Sequence, residues 1–414
     1  MKLINQKTLV SHVSSDAFVA SKSLTSYNPL MQLQELNLKN FRNYSKRTFI
    51  FSQNTTVFVG PNAIGKTNIL EAIFLLAIGK SFRAEREGEM VRIGEEVGRV
   101  MGAINSHPES FGLAQDKLRE GSLANASTSD RLRDSSSRQG GTQNDKTQLE
   151  VVITGGFVQG VKTPIKKFLV NGVPRRIVDF AGQLKAVLFH PEDLDLVRGS
   201  PSGRRRYLDF VLTQTDREYR RSLSAYERAV RQRNRLLERI RDGFANRQQL
   251  YFWDQVLIRD GGYLQKKREE LITAINVSDK PFGEFRLLYD HSYISETRLT
   301  QYAEEEVAAG VTLVGPHRDD VQFFDDKRSL AAYGSRGEQR LLVLWLKLCE
   351  LRYIKEITGE RPLLLLDDIF SELDHPHREE VLKLINLQQT IITSADRHFV
   401  PEQYLKDTEM IELT

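Results

Sequence analysis

Apolar residues follow three kinds of pattern along this chain, and each pattern predicts a different element. Short runs rich in β-branched and aromatic residues, at 55–59, 149–153 and 167–170, predict strands. The uninterrupted apolar run at 363–366 predicts a strand that is buried on both faces, as in a parallel sheet. From 203 to 242, apolar residues mostly recur at steps of four and three, which predicts helical structure with a seam for a partner helix.

The other predicted elements extend this into a mixed α/β arrangement. Because a single helix over 203–242 would be roughly 60 Å long, we expect breaks in it, and a second helical stretch could fold back on it to form a short arm. The sequence therefore indicates an α/β domain assembled from both ends of the chain, with a helical arm domain between them. Further strands are predicted at 33–38, 49–51, 285–289, 311–314, 321–324 and, as the last one, 389–394, and further helices at 68–76, at 253–276 and from about residue 337, the last buried against the sheet through one face.

Two segments lack the apolar content of a folded core. Residues 1–30 are serine-rich without arginine, which makes a transit peptide less favoured than a disordered extension or a start at Met31. Residues 105–148 are polar, and we expect a disordered insertion because they cannot bury enough surface to offset their ordering entropy. The predicted division is an extension (1–31), the first part of the α/β domain (32–200, with the insertion at 105–148), the arm (201–282) and the second part of the α/β domain (283–414).

Composition narrows the class of protein only modestly. A chain of 414 residues, with 40% hydrophobic and 28% charged residues, suggests about two globular domains. The net charge of +4 permits nucleic-acid binding without arguing for it. Cys349 is the only cysteine, and no apolar run approaches the ~18 residues that span a bilayer, so we expect a cytoplasmic location.

A phosphate-binding loop is the clearest candidate for chemistry. The sequence G-x-x-x-x-G-K-[ST] stands between a predicted strand and a predicted helix, which is the context that this motif requires, although a chance glycine loop is the alternative. Inward-facing amides and the helix dipole would bind phosphates, Lys66 would reach the β- and γ-phosphates, and Thr67 would bind Mg²⁺. The predicted ATP-binding residues of the loop are Gly60, Pro61, Asn62, Ala63, Ile64, Gly65, Lys66 and Thr67.

Two carboxylates follow the apolar run at 363–366. Ligand groups belong at the carboxyl ends of parallel strands, so we expect both side chains to face the nucleotide. Asp367 is predicted to hold Mg²⁺, directly or through water, and Asp368 to orient or activate the attacking water as a general base. Asp368 and Lys66 are therefore the predicted catalytic residues, unless the two aspartates follow an apolar run by chance.

Two other features allow both a structural and a functional interpretation. Ser335 with Glu338 three residues later is typical of a capping box, yet the same helix start could bind an anion. Twelve arginines crowd 204–241 with far fewer acids between them. Such a run is usually a solvated face, but the arginine bias also suits phosphate contact. The predicted DNA-binding residues among them are Arg228, Arg231 and Arg235.

Taken in order, these features resemble the ATPase head of the ABC and chromosome-maintenance superfamily. That order is a phosphate loop, a helical insertion, a signature at Ser335, an acidic strand, a loop at 371–374 and a switch strand at Thr393. More closely, the chain resembles the RecF family of bacterial recombination mediators from residue 32 to about 410, apart from the insertion. The motifs that carry this closer resemblance are 38–44, 60–67, 188–194, 199–209 and 315–320.

The resemblance implies an ATP-driven dimer in which the signature of one subunit closes over the ATP of the other. It implies ATP and Mg²⁺ as cofactors, duplex DNA or gap junctions as ligands, RecR and RecO as partners, and RecA loading in recombinational repair and gap processing. It adds Arg42 to the ATP-binding residues, and hydrolysis would be slow and would release the subunits. The implied signature residues, acting in trans, are Ser335, Arg336, Gly337, Glu338 and Gln339.

Three positions depart from the superfamily pattern. Arg336 stands where glycine is usual, and Asp368 is one methylene shorter than the usual glutamate, which is compatible with slow turnover. Thr393 or Ser394 occupies a position that is usually histidine in transporters, so neither is assigned a catalytic role. The alternatives are a transporter's ATPase subunit, disfavoured by the arginine-rich arm, and a chromosome-structural ATPase, which would need a far longer coiled coil.

Overall fold

The computed structural model describes residues 31–105, 146–372, 375–385, 387–397 and 408–414, and its strands within these ranges form three sheets and a small hairpin. The strands are β1 (Gln32–Phe41), β2 (Tyr44–Ile50), β3 (Thr55–Val59), β4 (Val97–Asn105), β5 (Lys146–Thr154), β6 (Phe157–Val158), β7 (Val161–Lys162), β8 (Lys166–Val170), β9 (Val173–Arg175), β10 (Ala186–Phe189), β11 (Phe285–Asp290), β12 (Asp320–Asp325), β13 (Arg328–Ser329), β14 (Leu363–Asp367), β15 (Thr390–Ser394) and β16 (Thr408–Glu412).

The helices of the described residues fall mainly between the sheets and in the arm. They are α1 (Lys66–Ile78), α2 (Ile177–Phe180), α3 (Asp195–Arg198), α4 (Pro201–Thr215), α5 (Arg217–Arg241), α6 (Tyr251–Asn276), α7 (Glu296–Gln301), α8 (Ala303–Ala309), α9 (Leu330–Tyr333), α10 (Arg336–Thr358), α11 (Ile369–Glu372) and α12 (His375–Ile385). The expected mixed α/β fold is confirmed. No helix of the described residues is both long and apolar enough to cross a membrane.

A parallel sheet in the order β10-β14-β15-β3-β16 joins the two ends of the chain. Strand β15 pairs with β14 on one side and with β3 on the other, so that Thr393 lies between Asp367 and Phe58. Because all three strands run in the same direction, their carboxyl ends share one edge. The phosphate loop and the two carboxylates therefore meet at that edge.

Helix α1 is packed between two sheets. Eleven of its thirteen residues are buried. One side meets the parallel sheet, and the other meets an antiparallel sheet in the order β2-β1-β4-β5-β8-β9, through a shared apolar cluster. This explains why its sequence is apolar all round rather than amphipathic. The helix that carries Lys66 and Thr67 is thus fixed from both sides.

Helix α10 covers the opposite face of the parallel sheet. Leu344, Leu351 and Ile354 pack there with apolar residues of β14 and α12. Leu342 and Trp345, however, belong to the apolar cluster of the arm. The helix was expected to bury one face against the sheet, and it buries two, since the arm packs on its other side.

The arm is a pair of antiparallel helices with a break before it. Asp216 separates α4 from α5 and caps α5, because its carboxylate accepts a 2.9 Å hydrogen bond from the backbone of Tyr219. Helix α6 then returns along α5, as predicted, and at Gly261 a Cβ would lie 2.8 Å from the Tyr226 ring. The sheet β11-β12-β13 adds Phe285 and Phe323 to the same apolar cluster, so this cluster extends across residue 282.

The predicted strand at 311–314 is wrong. The segment is irregular, and its polar backbone groups pair with side chains instead of a neighbouring strand. The Thr312 amide donates to Asn234 Oδ1 at 2.9 Å, and the Leu313 amide donates to Glu306 Oε1 at 2.8 Å. A β-branched run whose hydrogen bonds are satisfied by side chains has no ladder partner to make it a strand.

Two further differences concern the ends of elements. Strand β16 follows β15 and pairs with β3, so 389–394 is not the last strand. Residue 105 and residues 146–148 lie in β4 and β5, so the predicted insertion is shorter than 105–148. The rest of that insertion, and residues 1–30, lie outside the described residues.

Because Asn105 and Lys146 are paired partners at the ends of β4 and β5, a short turn is able to join them. We expect that replacing residues 106–145 by a four-residue Gly-Asn-Gly-Ser linker keeps the fold and ATP binding intact. The free-energy cost of closing a loop falls by only about 0.6 kcal/mol for each halving of its length, so the shorter linker should stabilise the fold slightly. Thermal unfolding and nucleotide titration check this, and a clear loss of ATP affinity would show that the segment acts at the site.

Candidate nucleotide site and signature helix

Close backbone approach explains both glycines of the phosphate loop. A Cβ at Gly60 would lie 2.8 Å from the Leu413 carbonyl oxygen, in the chain segment that follows β16. Gly65 has a φ of +113°, and a Cβ there would lie 2.6 Å from the Asn43 side chain. Only glycine accommodates both the left-handed backbone and the contact. The motif thus adopts the tight turn that a phosphate cradle requires.

The turn between β1 and β2 forms hydrogen bonds to this loop. Asn43 Nδ2 donates to the Ile64 carbonyl at 2.8 Å, and its Oδ1 accepts from Asn68 at 2.7 Å. The Tyr44 hydroxyl donates to the Gly65 carbonyl at 3.2 Å. These bonds fix the carbonyl oxygens of Ile64 and Gly65 on the side of the loop that faces this turn. Sequence reasoning noted the Asn43–Tyr44 segment only as part of a family motif.

Lys66 lies over the loop that it belongs to. Its Nζ donates to the carbonyl oxygens of Gly60 and Pro61 at 2.7 and 3.0 Å. Burial lowers the pKa of Lys66, while the nearby Asp368 and Asp367 act to raise it. A buried ammonium group is suited to bind phosphate oxygens, because their negative charge offsets the free-energy cost of removing the ammonium from water.

Asp367 connects the end of the phosphate loop to strand β15. Its Oδ1 accepts a hydrogen bond from the Thr67 hydroxyl at 3.0 Å and another from the Thr393 hydroxyl at 2.6 Å. A hydroxyl and a carboxylate side by side at the end of a phosphate loop are the oxygen ligands that Mg²⁺ takes from protein when phosphates supply the rest. The donor set therefore fits the predicted metal site at Thr67 and Asp367.

Asp368 occupies an unusual backbone conformation. Its φ is +50°, in the left-handed region that an aspartate tolerates better than most residues. The Asp368 amide donates to the Thr393 carbonyl oxygen at 3.1 Å, which anchors this turn to β15. Strain of this kind is typical of functional sites. Thr393 therefore positions both aspartates, a role that the sequence did not indicate.

A buried carboxylate, Glu71, organises the cationic side of the site. It is fully buried in α1 and forms ion pairs with Arg42 at 2.6 Å and with Arg83 at 2.9 Å. The Ser81 hydroxyl donates to it at 2.5 Å, and Arg83 also bonds to Asn68. Burial alone would raise the pKa of Glu71, but hydrogen bonds from Arg42, Arg83 and Ser81 outweigh it and lower the pKa. Arg42 as an ATP contact stays a prediction.

Arg83, Ser81 and Glu71 were missed as site residues by sequence reasoning. The sequence predicted no role for the segment 80–83. A glutamate in the middle of an otherwise apolar helix was the available signal, because carboxylates are almost never fully buried unless they are paired. The paired arginines keep part of their surface exposed, with relative exposures of 19% for Arg42 and 30% for Arg83.

The signature segment is exposed at the start of α10. Ser335 caps the helix, and a reciprocal bond between Glu338 and the Ser335 amide, at 2.7 Å, completes the predicted capping box. Glu338 also pairs with Arg328, and this pairing, followed by the bond from the Ser335 amide, lowers the pKa of Glu338 to about 2. Gln339 is buried and donates to the Leu330 carbonyl at 2.8 Å. Arg336 and Gly337 stand exposed beside Ser335.

In the described chain, no hydrogen bond or ion pair joins residues 335–339 to residues 60–67. The signature residues bond to their own helix start, to α9 and to Arg328. The phosphate loop bonds to β15, to Asp367 and to the turn between β1 and β2. The two candidate parts of the ATP site are thus separate within one chain.

A buried charge cluster connects the signature helix to the loop after β10. Lys347 lies between Asp193 at 3.2 Å and Glu350 at 3.7 Å. Burial raises the pKa of Glu350 to about 7, although Lys347 opposes the shift. His190 pairs with the same Asp193 at 3.3 Å. The loop that holds His190 and Asp193 is thereby fixed to α10.

Nine of the twelve arginines of 204–241 form a hydrogen bond or an ion pair within the described chain. Arg233 is buried between Asp254 and Glu306, at 2.7 and 2.6 Å, and Arg220 donates to two backbone carbonyls. The predicted DNA-binding residues differ from the other nine arginines of 204–241 in making no ion pair or hydrogen bond with the described part of the chain, and all three are exposed. These three residues are Arg228, Arg231 and Arg235 on α5.

The chain is similar to proteins of known family over most of its length. The family model described as the RecF/RecN/SMC N terminal domain matches residues 32–410. The DNA replication and repair protein RecF of Herpetosiphon aurantiacus is 35% identical over 395 residues, covering 88% of this chain and 94% of that protein. RecF of Bacillus cereus strain G9842 is 31% identical, with 93% of this chain and 97% of that protein covered.

Solved structures give the same result. The recombination mediator protein RecF-ATPrS of the RecFOR pathway matches with a TM-score of 0.74 and 27% identity, covering 93% of this chain and 96% of that chain. The corresponding RecF-ATP structure matches with a TM-score of 0.74 and 28% identity, covering 90% of this chain and 94% of that one. This chain therefore resembles these proteins in sequence and in fold over nearly its whole length.

We expect Glu71→Gln to lower thermal stability and ATP affinity together, because it leaves two arginines at the site without their carboxylate. Breaking a buried pair in this way costs about 3–5 kcal/mol. The surface variant Glu96→Gln is the control, and it should change stability by less than about 0.5 kcal/mol.

The pH dependence of Glu71 gives a second readout. Because its folded pKa is lowered, its stabilisation is present above the unfolded value near 4.5 and is lost as the pH falls through the folded pKa. The gap in melting temperature between the parent protein and Glu71→Gln should therefore narrow below about pH 4.5. A gap that stays constant in acid would contradict the ionised state of Glu71.

Proposed function

The chain belongs to the RecF family, and from this premise we propose that it is an ATP-dependent DNA-binding protein of recombinational repair and of replication-fork and gap processing. ATP joins two copies around duplex DNA or a gap junction, and slow hydrolysis releases them. RecF structures are described as part of the RecFOR pathway, which supports RecR and RecO as partners and RecA loading as the outcome. These partners also support a cytoplasmic location.

One observation carries the proposed ATP site. Thr67 and Asp367, which are 300 positions apart, share a 3.0 Å hydrogen bond directly after the phosphate loop. Their oxygens would hold Mg²⁺, which when bound screens the charge of the phosphates and lowers the barrier to attack on the γ-phosphorus. Lys66 would neutralise phosphate oxygens from the other side. The RecF-ATP neighbour supports ATP as the nucleotide.

The proposed dimer rests on the separation of the signature from the loop. Ser335, Arg336 and Gly337 are exposed at a helix N-terminus, which offers a hydroxyl, amides and a positive dipole end. They make no bond to the loop of their own chain. A second subunit is therefore the proposed source of the phosphates that this helix start binds, and the Arg336 side chain adds a positive charge to it.

Asp368 is the proposed general base. Its backbone is held by Thr393, and its carboxylate follows the metal-binding Asp367 by one position. Proton transfer to the shorter aspartate, rather than to the usual glutamate, supports a slow turnover. In this scheme the protein is a nucleotide switch. Binding of ATP causes dimerisation, and hydrolysis of ATP serves to reverse it.

We expect Asp367→Asn and Asp368→Asn to separate binding from hydrolysis. Asp367→Asn should weaken binding of ATP in the presence of Mg²⁺, since a metal oxygen ligand loses its charge. Asp368→Asn should bind ATP normally while hydrolysis falls by about 10²–10⁴-fold. Nucleotide titration and phosphate release measure the two effects. Equal loss of ATP affinity in both variants would contradict the assigned roles.

The same variants test the dimer. Asp368→Asn should accumulate as an ATP-bound dimer that stays on DNA, and light scattering with ATP checks this. Ser335→Arg should bind ATP as a monomer, because the bulk of the arginine side chain at the helix start prevents closure over the partner's nucleotide. If Asp368→Asn stays monomeric with saturating ATP, the composite site is wrong and a single-subunit switch replaces it.

Phosphate contact by Arg228, Arg231 and Arg235 predicts a change in salt dependence. Replacing all three by glutamine should weaken duplex binding for every sequence and lower the slope of log K against log salt by about three. The matched control on the same helix is Arg217, Arg221 and Arg241, each of which pairs with a carboxylate of the chain. An equal change of slope in both triple variants would point to net charge alone.

A further inference from the structure

A cavity of about 570 Å³ lies where the arm meets the α/β domain. Its walls come from the end of α1, from α2, from α4 and α5, and from the turn that holds His317. It is distinct from the nucleotide site, because no residue of the phosphate loop or of the signature lines it. Small-ligand sites are typically about 300–1,000 Å³, so the volume suits one small molecule or one nucleotide of a strand.

The charges around this cavity are unbalanced. Six arginine or lysine side chains line it against two carboxylates. Both carboxylates already have partners, since Asp209 pairs with Arg268 at 2.8 Å and Glu227 pairs with Lys80 at 3.4 Å. Four arginines remain that form no ion pair with the described residues, and these are Arg205, Arg206, Arg220 and Arg231.

Three of these arginines are partly buried and bond only to backbone oxygens. Arg205 donates to the Asp319 carbonyl at 2.6 Å, Arg206 to the Ser81 carbonyl, and Arg220 to the carbonyls of Val178 and Thr213. Burial lowers the pKa of each, that of Arg220 to about 10. Desolvated guanidinium groups without a carboxylate are costly, and an anion beside them would offset that cost.

We propose that this cavity binds a nucleoside phosphate, with the phosphate on the arginines and the base on apolar side chains. Arginine is the side chain best suited to planar, paired hydrogen bonds with phosphate oxygens. The lining also includes the apolar side chains of Leu223, Val230 and Leu264, which suit a flat base. Arg231 is exposed and lines the cavity, so it stands where a phosphate would enter.

The nucleoside phosphate has two sources, a free nucleotide or the terminal nucleotide of a DNA strand. The ion pair between Lys80 and Glu227 connects the α/β domain to α5 and lines the cavity. A ligand in the cavity would therefore contact both bodies at once and favour one arrangement of the arm. The site differs from the proposed ATP site in position and in ligands, and it is testable independently.

The test is a binding titration with the full chain carrying Lys66→Ala, which disables the phosphate loop without adding a second nucleoside phosphate that would compete for the cavity. The probe is fluorescent deoxyadenosine monophosphate, followed by anisotropy, with unlabelled deoxyadenosine as competitor. We expect one saturable site per chain and at least about tenfold weaker competition by deoxyadenosine, because a charge-assisted contact is lost. Competition by a 5′-phosphorylated oligonucleotide, but not by its 5′-hydroxyl form, would identify the strand end as the source, and competition by the free nucleotide alone would identify the small molecule.

Variants locate the binding site. Arg231→Gln should weaken probe binding about tenfold. Ser224→Glu, which places a carboxylate at the cavity wall, should do the same without removing any bond of the fold. Arg239→Gln is the matched control, since Arg239 is exposed on the same helix but does not line the cavity. Absence of a saturable site, equal binding of deoxyadenosine, or an equal effect of Arg239→Gln would each overturn the proposal.

Discussion

The hydrogen bond from Thr67 to Asp367 depends on how one strand, β15, pairs with two others. Strand β3 comes from the first part of the chain and β14 from the last, and β15 lies between them in parallel. Its Thr393 hydroxyl reaches Asp367 at 2.6 Å, and its backbone holds Asp368. If β15 slipped by one residue, every side chain would change face, so this register positions the whole phosphate-binding edge.

The parts of this site that are local in sequence were predictable. The strand at 55–59, the loop from Gly60 to Thr67 and the strand that ends at Asp367 all lie where the patterns place them. Each depends on a short run whose conformation its own residues determine, such as the left-handed Gly65. The capping box at Ser335 was predictable for the same reason.

The rest could not be predicted because it depends on contacts between distant segments. Glu71 becomes an anchor only because the fold brings Arg42 and Arg83 to it from two different turns. The run at 311–314 has strand-like residues, yet Asn234 and Glu306 take its amides. Strand β16 has only two apolar residues, Met410 and Ile411, so no apolar run predicts it, and its pairing with β3 identifies it as a strand.

The arm and the nucleotide site are connected by polar contacts rather than by apolar packing alone. Arg206 of α4 donates to the carbonyl of Ser81, whose hydroxyl bonds to Glu71 beneath the phosphate loop. On the other side, Arg204 of α4 pairs with Asp320 at 2.6 Å. Helix α4 therefore contacts both the cationic side of the candidate nucleotide site and the core of the arm. Ser81 is the residue that joins these two regions, because its hydroxyl bonds to the carboxylate that holds Arg42 and Arg83 and its carbonyl accepts from α4.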